Sequence, residues 1–473
     1  MGLSDARIRE ILLEMGGSVE DKNAAPSFNS EIPAAGDGIC QSIDEAVAVA
    51  ERAQREFVKL SLQVRGEVIE EMRNAARENA VHLAKLAHEE TGYGSTEHKT
   101  LKNRLAANKT PGLEDFSPKA FSGDDGLTIV QGAPYGIIGA ITPSTNPTST
   151  VINNSISMVT GANGVVFNPH PGAKKASNET VKILNAAIKK VTGISGLLTT
   201  IENPSSKTGA DLMKHEKIRI LAVTGGEAVV ELAMRSGKKV IAAGPGNPPV
   251  IVDDTADIEK AAKDITRGAS FDNNVLCIAE KEVFVMRNVE AQLVNGMVDA
   301  GSYLANDAEI EKIVETVLTK TDHGFAPNKK FVGRSAKHIL ESSGITPKSD
   351  TVLVICRCNK DHPLVTTEML MPVVPIVSVD TFEEAVECAI EAENECYHTA
   401  IMHSKNVDRL SYAARALDTT IFVKNGPSFA GLGFEGEGYT TLTISTPTGE
   451  GLTSAKDFVR SRRCVLSGSF HIL

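Results

Sequence analysis

Cys277 is the clearest candidate nucleophile of the chain, because it lies in a polar loop between two regular elements. The loop, residues 270–280, follows a helical pattern over residues 256–268 and precedes a strand-like run over residues 282–286. A thiol in such a loop can be exposed and activated, whereas a structural cysteine is usually buried in an apolar element. Nucleophilic catalysis also needs a group that stabilises the oxyanion. The rest of the sequence should therefore contain an oxyanion donor.

Residues 142–150, with the sequence TPSTNPTST, concentrate hydroxyl and amide groups directly after a predicted buried strand at residues 135–142. Prolines on both sides of Asn146 restrain the backbone, so its side chain can be held in a fixed direction. A fixed amide N–H is what an oxyanion hole requires. The alternative is that Asn146 caps the following helix.

Two further loops join a predicted strand to a predicted helix and could bind a phosphate or ribose. One is residues 168–172 (NPHPG), and the other is residues 224–226 (TGG). Free backbone N–H groups and the helix dipole favour an anion at a helix N-terminus. Both loops could equally be plain turns.

Other motifs carry less weight. The spacing G-x-G-x-x-G at residues 431–436 is followed by a β-prone run instead of a helix, so we expect a glycine-rich loop near the mouth of a site rather than a dinucleotide fingerprint. Cys356, Cys358 and His362 are too few ligands for a metal site. Among possible bases for the thiol, nothing in the spacing singles out one of three histidines, His170, His398 and His403.

These residues need a scaffold, and the sequence predicts one of alternating strands and helices. Strand patterns at residues 135–142, 164–168, 197–201, 218–223 and 239–243 are separated by helical patterns at 151–159, 174–191 and 227–236. A second series of the same kind runs from residue 249 to about 423. Such alternation predicts βαβ units and parallel, doubly wound sheets. We expect two α/β domains with the site between them.

Composition excludes several classes of protein. The 473 residues include 49 Lys and Arg and 60 Asp and Glu, which gives a net charge of −11. A negative net charge argues against binding to nucleic acid or to an anionic membrane. No apolar run is long enough to span a bilayer, and no secretory signal is visible at residues 1–7. The seven scattered cysteines fit a reducing compartment. We expect a soluble intracellular enzyme.

The segments above together resemble the aldehyde dehydrogenase superfamily over nearly the whole chain. They are most similar to its CoA-acylating branch, the propionaldehyde and acetaldehyde dehydrogenases of bacterial microcompartments. Five segments carry the resemblance in the same order: residues 142–150, 165–171 (VVFNPHP), 223–226 (VTGG), the Cys277 loop and 368–372 (EMLMP).

The resemblance implies an α/β fold with two doubly wound domains and a β-strand flap that builds oligomers. The cofactor domain would span residues 39–243 and the catalytic domain residues 244–438. Residues 121–131 and the C-terminal segment 439–473 would supply the flap. The assembly would be a homodimer or homotetramer.

Three positions depart from the family pattern. Hydrolytic members carry a glutamate that activates water, and this position falls on Ala243 here, so the acyl-enzyme should survive until the thiol of CoA attacks. The lysine that usually holds the adenine ribose falls on Asn168, which leaves the preference for NAD or NADP open. The oxyanion asparagine is one place later than in hydrolytic members, so Asn146 is the implied donor and Thr145 an alternative.

The implied reaction oxidises a short aliphatic aldehyde, with propionaldehyde favoured, to its CoA thioester. Cys277 would attack the aldehyde, Asn146 and the Cys277 backbone N–H would hold the oxyanion, NAD would accept hydride, and coenzyme A would take the acyl group. The implied cofactor contacts are Thr142, Pro143, Asn168, Pro169, Gly225, Gly226 and Glu368. The alternatives are a hydrolytic or phosphate-linked dehydrogenase of the same fold, a cysteine acyltransferase without nicotinamide, and a scaffold protein of a shell.

The N-terminal segment predicts a separate role. Residues 4–15 form one apolar stripe at helical spacing, with Ile8, Ile11, Leu12 and Met15, and a linker rich in small and polar residues follows. An isolated helix of this length needs a partner surface. By resemblance, residues 1–18 are a targeting helix that binds microcompartment shell proteins, residues 19–38 are its linker, and the enzyme would reside in the lumen. The alternative is a helix packed on its own domain.

Overall fold

The computed structural model describes residues 37–321, 324–348 and 350–470. The predicted targeting helix and nearly all of its linker lie outside the described residues, so both stay predictions. No helix within the described ranges is long and apolar enough to cross a membrane.

Strands and helices alternate through most of the described chain. In chain order the strands are β1 (Ile39–Cys40), β2 (Lys119–Gly123), β3 (Gly126–Pro134), β4 (Ile137–Thr142), β5 (Gly164–Pro169), β6 (Leu198–Ile201), β7 (Ile218–Thr224), β8 (Lys239–Ala243), β9 (Pro249–Val252), β10 (Glu282–Met286), β11 (Ser302–Ala305), β12 (Leu318–Thr321), β13 (Gly324–Pro327), β14 (Leu353–Arg357), β15 (Val373–Val379), β16 (Thr399–His403), β17 (Ile421–Lys424), β18 (Ile444–Ser445), β19 (Gly451–Leu452) and β20 (Val459–Ser467).

The α-helices within the same described ranges are α1 (Ile43–Phe57), α2 (Leu62–Glu78), α3 (Ala80–Thr91), α4 (Thr96–Lys109), α5 (Pro147–Thr160), α6 (Lys174–Thr192), α7 (Ser206–Lys214), α8 (Glu227–Met234), α9 (Ile258–Ser270), α10 (Arg287–Asp299), α11 (Asp307–Val317), α12 (Ala336–Ser342), α13 (Pro363–Thr366), α14 (Phe382–Glu393) and α15 (Val407–Leu417). Serine side chains cap the N-termini of several of these helices. Ser95 Oγ, for example, accepts a hydrogen bond from the backbone N–H of His98 at 3.2 Å and so caps α4.

The first sheet has six parallel strands in the order β1-β6-β5-β4-β7-β8. Strands β4 and β5 are buried along their whole length, as expected of parallel strands covered on both faces by helices. The order reverses at β4, because β5 and β6 follow on one side and β7 and β8 on the other. Such a reversal opens a crevice at the carboxyl ends of the strands, where nucleotides bind.

The second sheet has seven parallel strands in the order β11-β14-β15-β10-β9-β16-β17. Its apolar core includes Val283 of β10 and Ile376 of β15. Leu276 and Ile278, on either side of Cys277, are buried in the same core. The core therefore anchors the loop that carries the candidate nucleophile.

A separate antiparallel sheet consists of β2, β3 and β20. Strand β20 from the C-terminal segment pairs along β3, from Val459 opposite Pro134 to Ser467 opposite Gly126. The predicted fold class, two doubly wound α/β units with a β-strand flap, is confirmed. The domain boundaries and the oligomeric role of the flap stay predictions.

The strands and helices predicted from pattern match the structure closely, with small shifts at their ends. The helical pattern at residues 256–268 is α9, displaced by two residues. The β-prone run after residue 438 is largely irregular and forms only the two-residue strand β18.

Candidate active site

The chain reaches Cys277 through a turn in which three consecutive residues have left-handed backbone conformations. Asp272, Asn273 and Asn274 have φ values of 50°, 54° and 63°. Among residues with a side chain, Asn and Asp are those that adopt this region most readily. The amide of Asn274 then holds the turn closed, donating to the carbonyls of Ala269 at 2.8 Å and of Glu280 at 2.9 Å. The loop is thus a defined, strained structure.

The buried side chain of Lys281 holds the same loop in place through three hydrogen bonds. Lys281 Nζ donates to the Asn274 backbone carbonyl at 3.1 Å, to the Asn274 side-chain oxygen and to the Leu276 carbonyl at 3.2 Å. Burial lowers the pKa of Lys281. The three hydrogen bonds compensate a buried ammonium group, and they fix the backbone directly before Cys277.

Cys277 itself is half-buried. Burial raises the pKa of Cys277 to about 12, the nearby Glu368 carboxylate acts in the same direction, and Lys281 acts against them. A buried thiolate is costly unless it gains a compensating charge. The loop therefore does not activate the thiol by itself, which differs from the expectation of an exposed, activated cysteine.

Asn146 lies at the start of α5, but its side chain does not cap that helix. The amide is buried, and its oxygen Oδ1 accepts a hydrogen bond from Lys102 Nζ at 2.5 Å. Its nitrogen Nδ2 donates to Thr145 Oγ1 at 3.2 Å. Since Nδ2 has two hydrogens, one N–H is left for another acceptor. The capping alternative is thereby excluded, and the geometry supports a donor role.

Lys102 belongs to a buried cluster that sequence reasoning missed. Lys99 and Lys102 of α4 both donate to Asp272 Oδ2, Lys99 at 3.1 Å. Burial lowers the pKa of Lys102 to about 8, with Asp272 opposing this and Lys99 reinforcing it. Burial would raise the pKa of Asp272, but the two lysines outweigh it and hold that pKa below its usual value. The cluster carries one surplus positive charge when both lysines are protonated.

An apolar cavity of about 10 Å³ adjoins the cluster, which is room for about one water molecule. Lys102 is the only charged residue among those that line it in the described structure, and Leu276, next to Cys277, lines it too. The other lining residues are Leu101, Leu105, Phe271, Phe429, Leu432, Phe434 and Leu442. Three of them, Phe429, Leu432 and Phe434, lie in or beside the predicted glycine-rich loop, whose role at the site stays a prediction.

The carboxyl ends of β4, β5 and β7 present the candidate cofactor contacts in the crevice of the first sheet. Thr142 Oγ1 is buried with no hydrogen-bond partner within the described residues. Gly226 begins α8, and a Cβ added there would meet no described atom within 4 Å. An unpaired buried hydroxyl and an open helix N-terminus fit a dinucleotide. Pro143, Pro169 and Gly225 flank these positions.

Two candidate cofactor residues already have partners in the protein. Asn168 Oδ1 accepts from Thr208 Oγ1 at 2.6 Å, so a ribose contact would fall to the Asn168 amide nitrogen. Glu368 Oε1 accepts a long hydrogen bond from Gly246 N at 3.4 Å, and burial raises the pKa of Glu368. The Glu368 carboxylate helps to raise the pKa of Cys277. The two predicted residues therefore lie near each other.

Ala243, at the end of β8, is buried, and its carbonyl accepts from Gly225 N at 3.4 Å. Its side chain offers no base.

None of the candidate histidine bases contacts the thiol: within the described ranges, no hydrogen bond joins Cys277 to a histidine. His398 and His403 are buried, and burial lowers the pKa of His398 to about 4 and of His403 to about 3.

Two of the remaining cysteines form a close pair. The sequence predicts no metal site there, because Cys356, Cys358 and His362 are too few ligands. Cys356 and Cys358 are two residues apart and share one face, with their sulfur atoms 3.6 Å apart. No group of three metal-ligating side chains occurs within the described residues.

Comparison with known proteins agrees with this geometry. Residues 20–436 match the model of the aldehyde dehydrogenase family. The chain is 47% identical over 438 residues to propanal dehydrogenase (CoA-propanoylating) of Salmonella typhimurium, covering 92% of this chain and 94% of that protein. A crystal structure of Rhodopseudomonas palustris propionaldehyde dehydrogenase, with bound CoA and an acylated cysteine, superposes with a TM-score of 0.90 at 44% identity, covering 92% of this chain and 100% of the other.

A third relative is a propionaldehyde dehydrogenase from the Clostridium phytofermentans fucose utilisation bacterial microcompartment. Its structure has a TM-score of 0.89 at 45% identity and covers 91% of this chain and 99% of the other. The matches extend over nearly all of the chain and include both sheets and the Cys277 loop. The chain belongs to the aldehyde dehydrogenase family.

Proposed function

We propose that this protein is a CoA-acylating aldehyde dehydrogenase, which converts a short aliphatic aldehyde, NAD and CoA to acyl-CoA and NADH. The observation that carries the proposal is Ala243. A small apolar side chain replaces the water-activating glutamate, in a chain 47% identical to a CoA-propanoylating enzyme. NADP remains an alternative cofactor, since one relative is an engineered glycolyl-CoA reductase with bound NADP+.

The first step forms a covalent adduct on Cys277. After the thiol has lost its proton to solvent, the Cys277 thiolate attacks the carbonyl carbon of the aldehyde, and the carbonyl oxygen becomes an oxyanion. The free N–H of Asn146 and the backbone N–H of Cys277 donate to that oxygen. Because both groups are held in place before the substrate arrives, they stabilise the oxyanion without reorganisation. The aldehyde's alkyl group lies in the apolar cavity beside Leu276.

A nicotinamide dinucleotide held in the crevice would supply the hydride acceptor needed to oxidise this adduct to a thioester on Cys277. Residues at the strand ends would hold the dinucleotide, namely Thr142, Pro143, Asn168, Pro169, Gly225, Gly226 and Glu368. The half-buried position of Cys277 limits the contact of the thioester with water.

The last step transfers the acyl group to CoA. The thiolate of CoA attacks the thioester carbonyl, the Cys277 sulfur leaves, and acyl-CoA is released. The same donors hold the second oxyanion. Ala243 cannot accept a proton from water, so the protein offers no carboxylate there to favour hydrolysis over transfer.

The small cavity favours a short substrate. A volume of about 10 Å³ has room for about one water molecule, so an alkyl group enters only where the lining side chains move. Phe271, Phe429 and Phe434 form its wall, with ring centroids 5.2–5.7 Å apart. Packed aromatic rings resist displacement. Propionaldehyde is the favoured substrate because the chain is 47% identical to a CoA-propanoylating propanal dehydrogenase.

The flap supports the expected homodimer or homotetramer. Strand β20 has one unpaired edge in the described structure, and Val465 and Leu466 on it are 57% and 47% exposed. Phe121 of β2 is 58% exposed. An exposed apolar edge strand is a template for pairing with another chain. We infer that a second copy covers it.

The N-terminal segment and the relatives support encapsulation in a microcompartment. The amphipathic pattern at residues 4–15 and the linker after it have the form of a docking tag. A relative of 45% identity comes from a bacterial microcompartment. We propose that residues 1–18 bind shell proteins and bring the enzyme into the lumen.

The decisive assay mixes purified protein with propanal, NAD and CoA and follows both NADH absorbance and acyl-CoA by mass spectrometry. We expect NADH and propanoyl-CoA in equal amounts, and neither with Cys277→Ser. NADH that forms at the same rate without CoA, together with free propanoate, would instead identify a hydrolytic dehydrogenase. Acyl transfer that needs no NAD would identify a cysteine acyltransferase.

A further inference from the structure

The oxyanion donor Asn146 has an ambiguity that the protein must resolve. The two ends of an asparagine amide have nearly the same shape, but one end donates hydrogen bonds and the other accepts them. Only the Nδ2 end can stabilise an oxyanion. With the Oδ1 end turned toward the same point, the site would repel the developing negative charge. The neighbours of Asn146 therefore decide whether the site can work.

Lys102 is the neighbour that removes the ambiguity. A lysine ammonium has donors only, so its hydrogen bond of 2.5 Å can be made only to Oδ1 of Asn146. Lys102 is in turn fixed by Asp272, which also accepts from Ser95 N at 2.8 Å. Without Lys102, the Asp272 carboxylate would be the strong acceptor on that side and would attract Nδ2 instead.

Lys102 also lies next to the reacting centre. It lines the apolar cavity together with Leu276, the residue before Cys277. The cavity and the cluster are thus parts of one site, although Lys102 comes from α4, far from the other site residues in sequence.

We propose that Lys102 is a positioning residue, which fixes the orientation of the Asn146 amide so that its N–H faces the oxyanion formed on Cys277. This inference rests on the proposed function for the identity of the reaction. It adds a residue to the machinery that none of the family motifs contains. Asp272 acts indirectly, because it holds Lys102 in place.

The test replaces Lys102 with methionine and needs neither NAD nor CoA. Lys102→Met has a similar shape without donors, and Lys99 keeps Asp272 paired, so the variant does not leave a lone buried carboxylate. The reaction is acylation of Cys277 by p-nitrophenyl propanoate, measured as the burst of nitrophenolate. Alkylation of Cys277 by iodoacetamide, which forms no oxyanion, is measured in parallel.

We expect Lys102→Met to lower the ratio of acylation to alkylation by about a hundredfold, the effect of losing one oxyanion donor. Lys99→Met is the matched control, because it removes the same charge from the same cluster but leaves the bond between Lys102 and Asn146 intact. It should keep the wild-type ratio. Lys102→Arg, which again has donors only, should restore part of the lost acylation.

The double variant Lys102→Met, Asn146→Ala decides whether Lys102 acts through Asn146. If it does, the double variant acylates no more slowly than Asn146→Ala alone. Equal losses in both backgrounds would overturn the inference, as would an unchanged ratio in Lys102→Met. A wild-type protein that is acylated on Cys277 yet makes no acyl-CoA would contradict the proposed function instead, so the two failures are distinguishable.

Discussion

Gly94→Ala should destabilise the protein far more than an alanine in a left-handed position ordinarily does. Gly94 has φ = +63°, and its N–H donates to the Gly333 carbonyl at 2.8 Å. A Cβ added there would lie 2.8 Å from Oδ2 of Asp272 and closer still to Oδ1. Asp272 cannot move aside freely, because Ser95 and two lysines hold it.

The expected loss in the free energy of unfolding has two parts. A residue with a side chain in the left-handed region costs about 1–2 kcal/mol. Displacing Asp272 breaks a buried ion pair, which costs about 3–5 kcal/mol. The sum of about 4–7 kcal/mol approaches the whole stability of many proteins, about 5–15 kcal/mol. We therefore expect Gly94→Ala to unfold at much lower urea concentration than the wild type.

Gly193→Ala is the matched control for this prediction. Gly193 follows α6 with φ = +75°, and a Cβ there would meet no described atom within 4 Å. It should show the backbone cost alone, about 1–2 kcal/mol. The measurement is urea unfolding followed by circular dichroism. If the two variants unfold at the same midpoint, the contact between Gly94 and Asp272 does not hold the cluster, and the reasoning is wrong.

Further predictions concern the thiol, its thioester and the surfaces. Ala243→Glu should place a base near the thioester and release free propanoate without CoA; an unchanged CoA requirement would mean that the position is misassigned. Alkylation of Cys277 should accelerate about tenfold per pH unit between pH 7 and 9, because its raised pKa keeps the thiolate scarce; a plateau in this range would contradict that pKa. Glu368→Gln removes a negative charge that raises this pKa, so alkylation at pH 8 should be faster than in the wild type, as measured by peptide mass spectrometry. Val465→Asp should yield smaller assemblies in analytical ultracentrifugation, and an unaltered mass would exclude the β20 edge as an interface. Deleting residues 1–18 should preserve activity but abolish co-sedimentation with shell proteins.

The fold was predictable from sequence because each strand of a parallel sheet is a short apolar run bounded by helices of regular period. The strand at residues 164–168 is β5 with one residue added, and the helical pattern at 174–191 is α6 with one added. The elements of the C-terminal segment were harder to predict, because residues after 438 pair with strands distant in sequence and have little periodic pattern of their own.

The cluster behind Asn146 could not be predicted in the same way. Within α4, Lys99, Lys102 and Asn103 have the three- and four-residue spacing of one helix face, and such a polar face normally points to solvent. It is buried because Asp272, 170 residues later, supplies the opposite charge. A partner at that separation leaves no local signal. The only sequence hint was the run of Asp and Asn ahead of Cys277.

The missing glutamate at residue 243 is not sufficient to protect a thioester, because other carboxylates lie around the Cys277 loop. Asp272 is paired with two lysines, which lower its pKa and make it a weak base. Glu280 accepts two hydrogen bonds from Ser428, at 2.8 Å and 2.7 Å, and is committed to them. Burial raises the pKa of both Glu280, to about 7, and Glu368, but Glu368 is the one that acts on the pKa of Cys277. Since a base with a raised pKa is the more effective one, any residual hydrolysis of the acyl-enzyme should depend on Glu368, and most of all when no dinucleotide covers it.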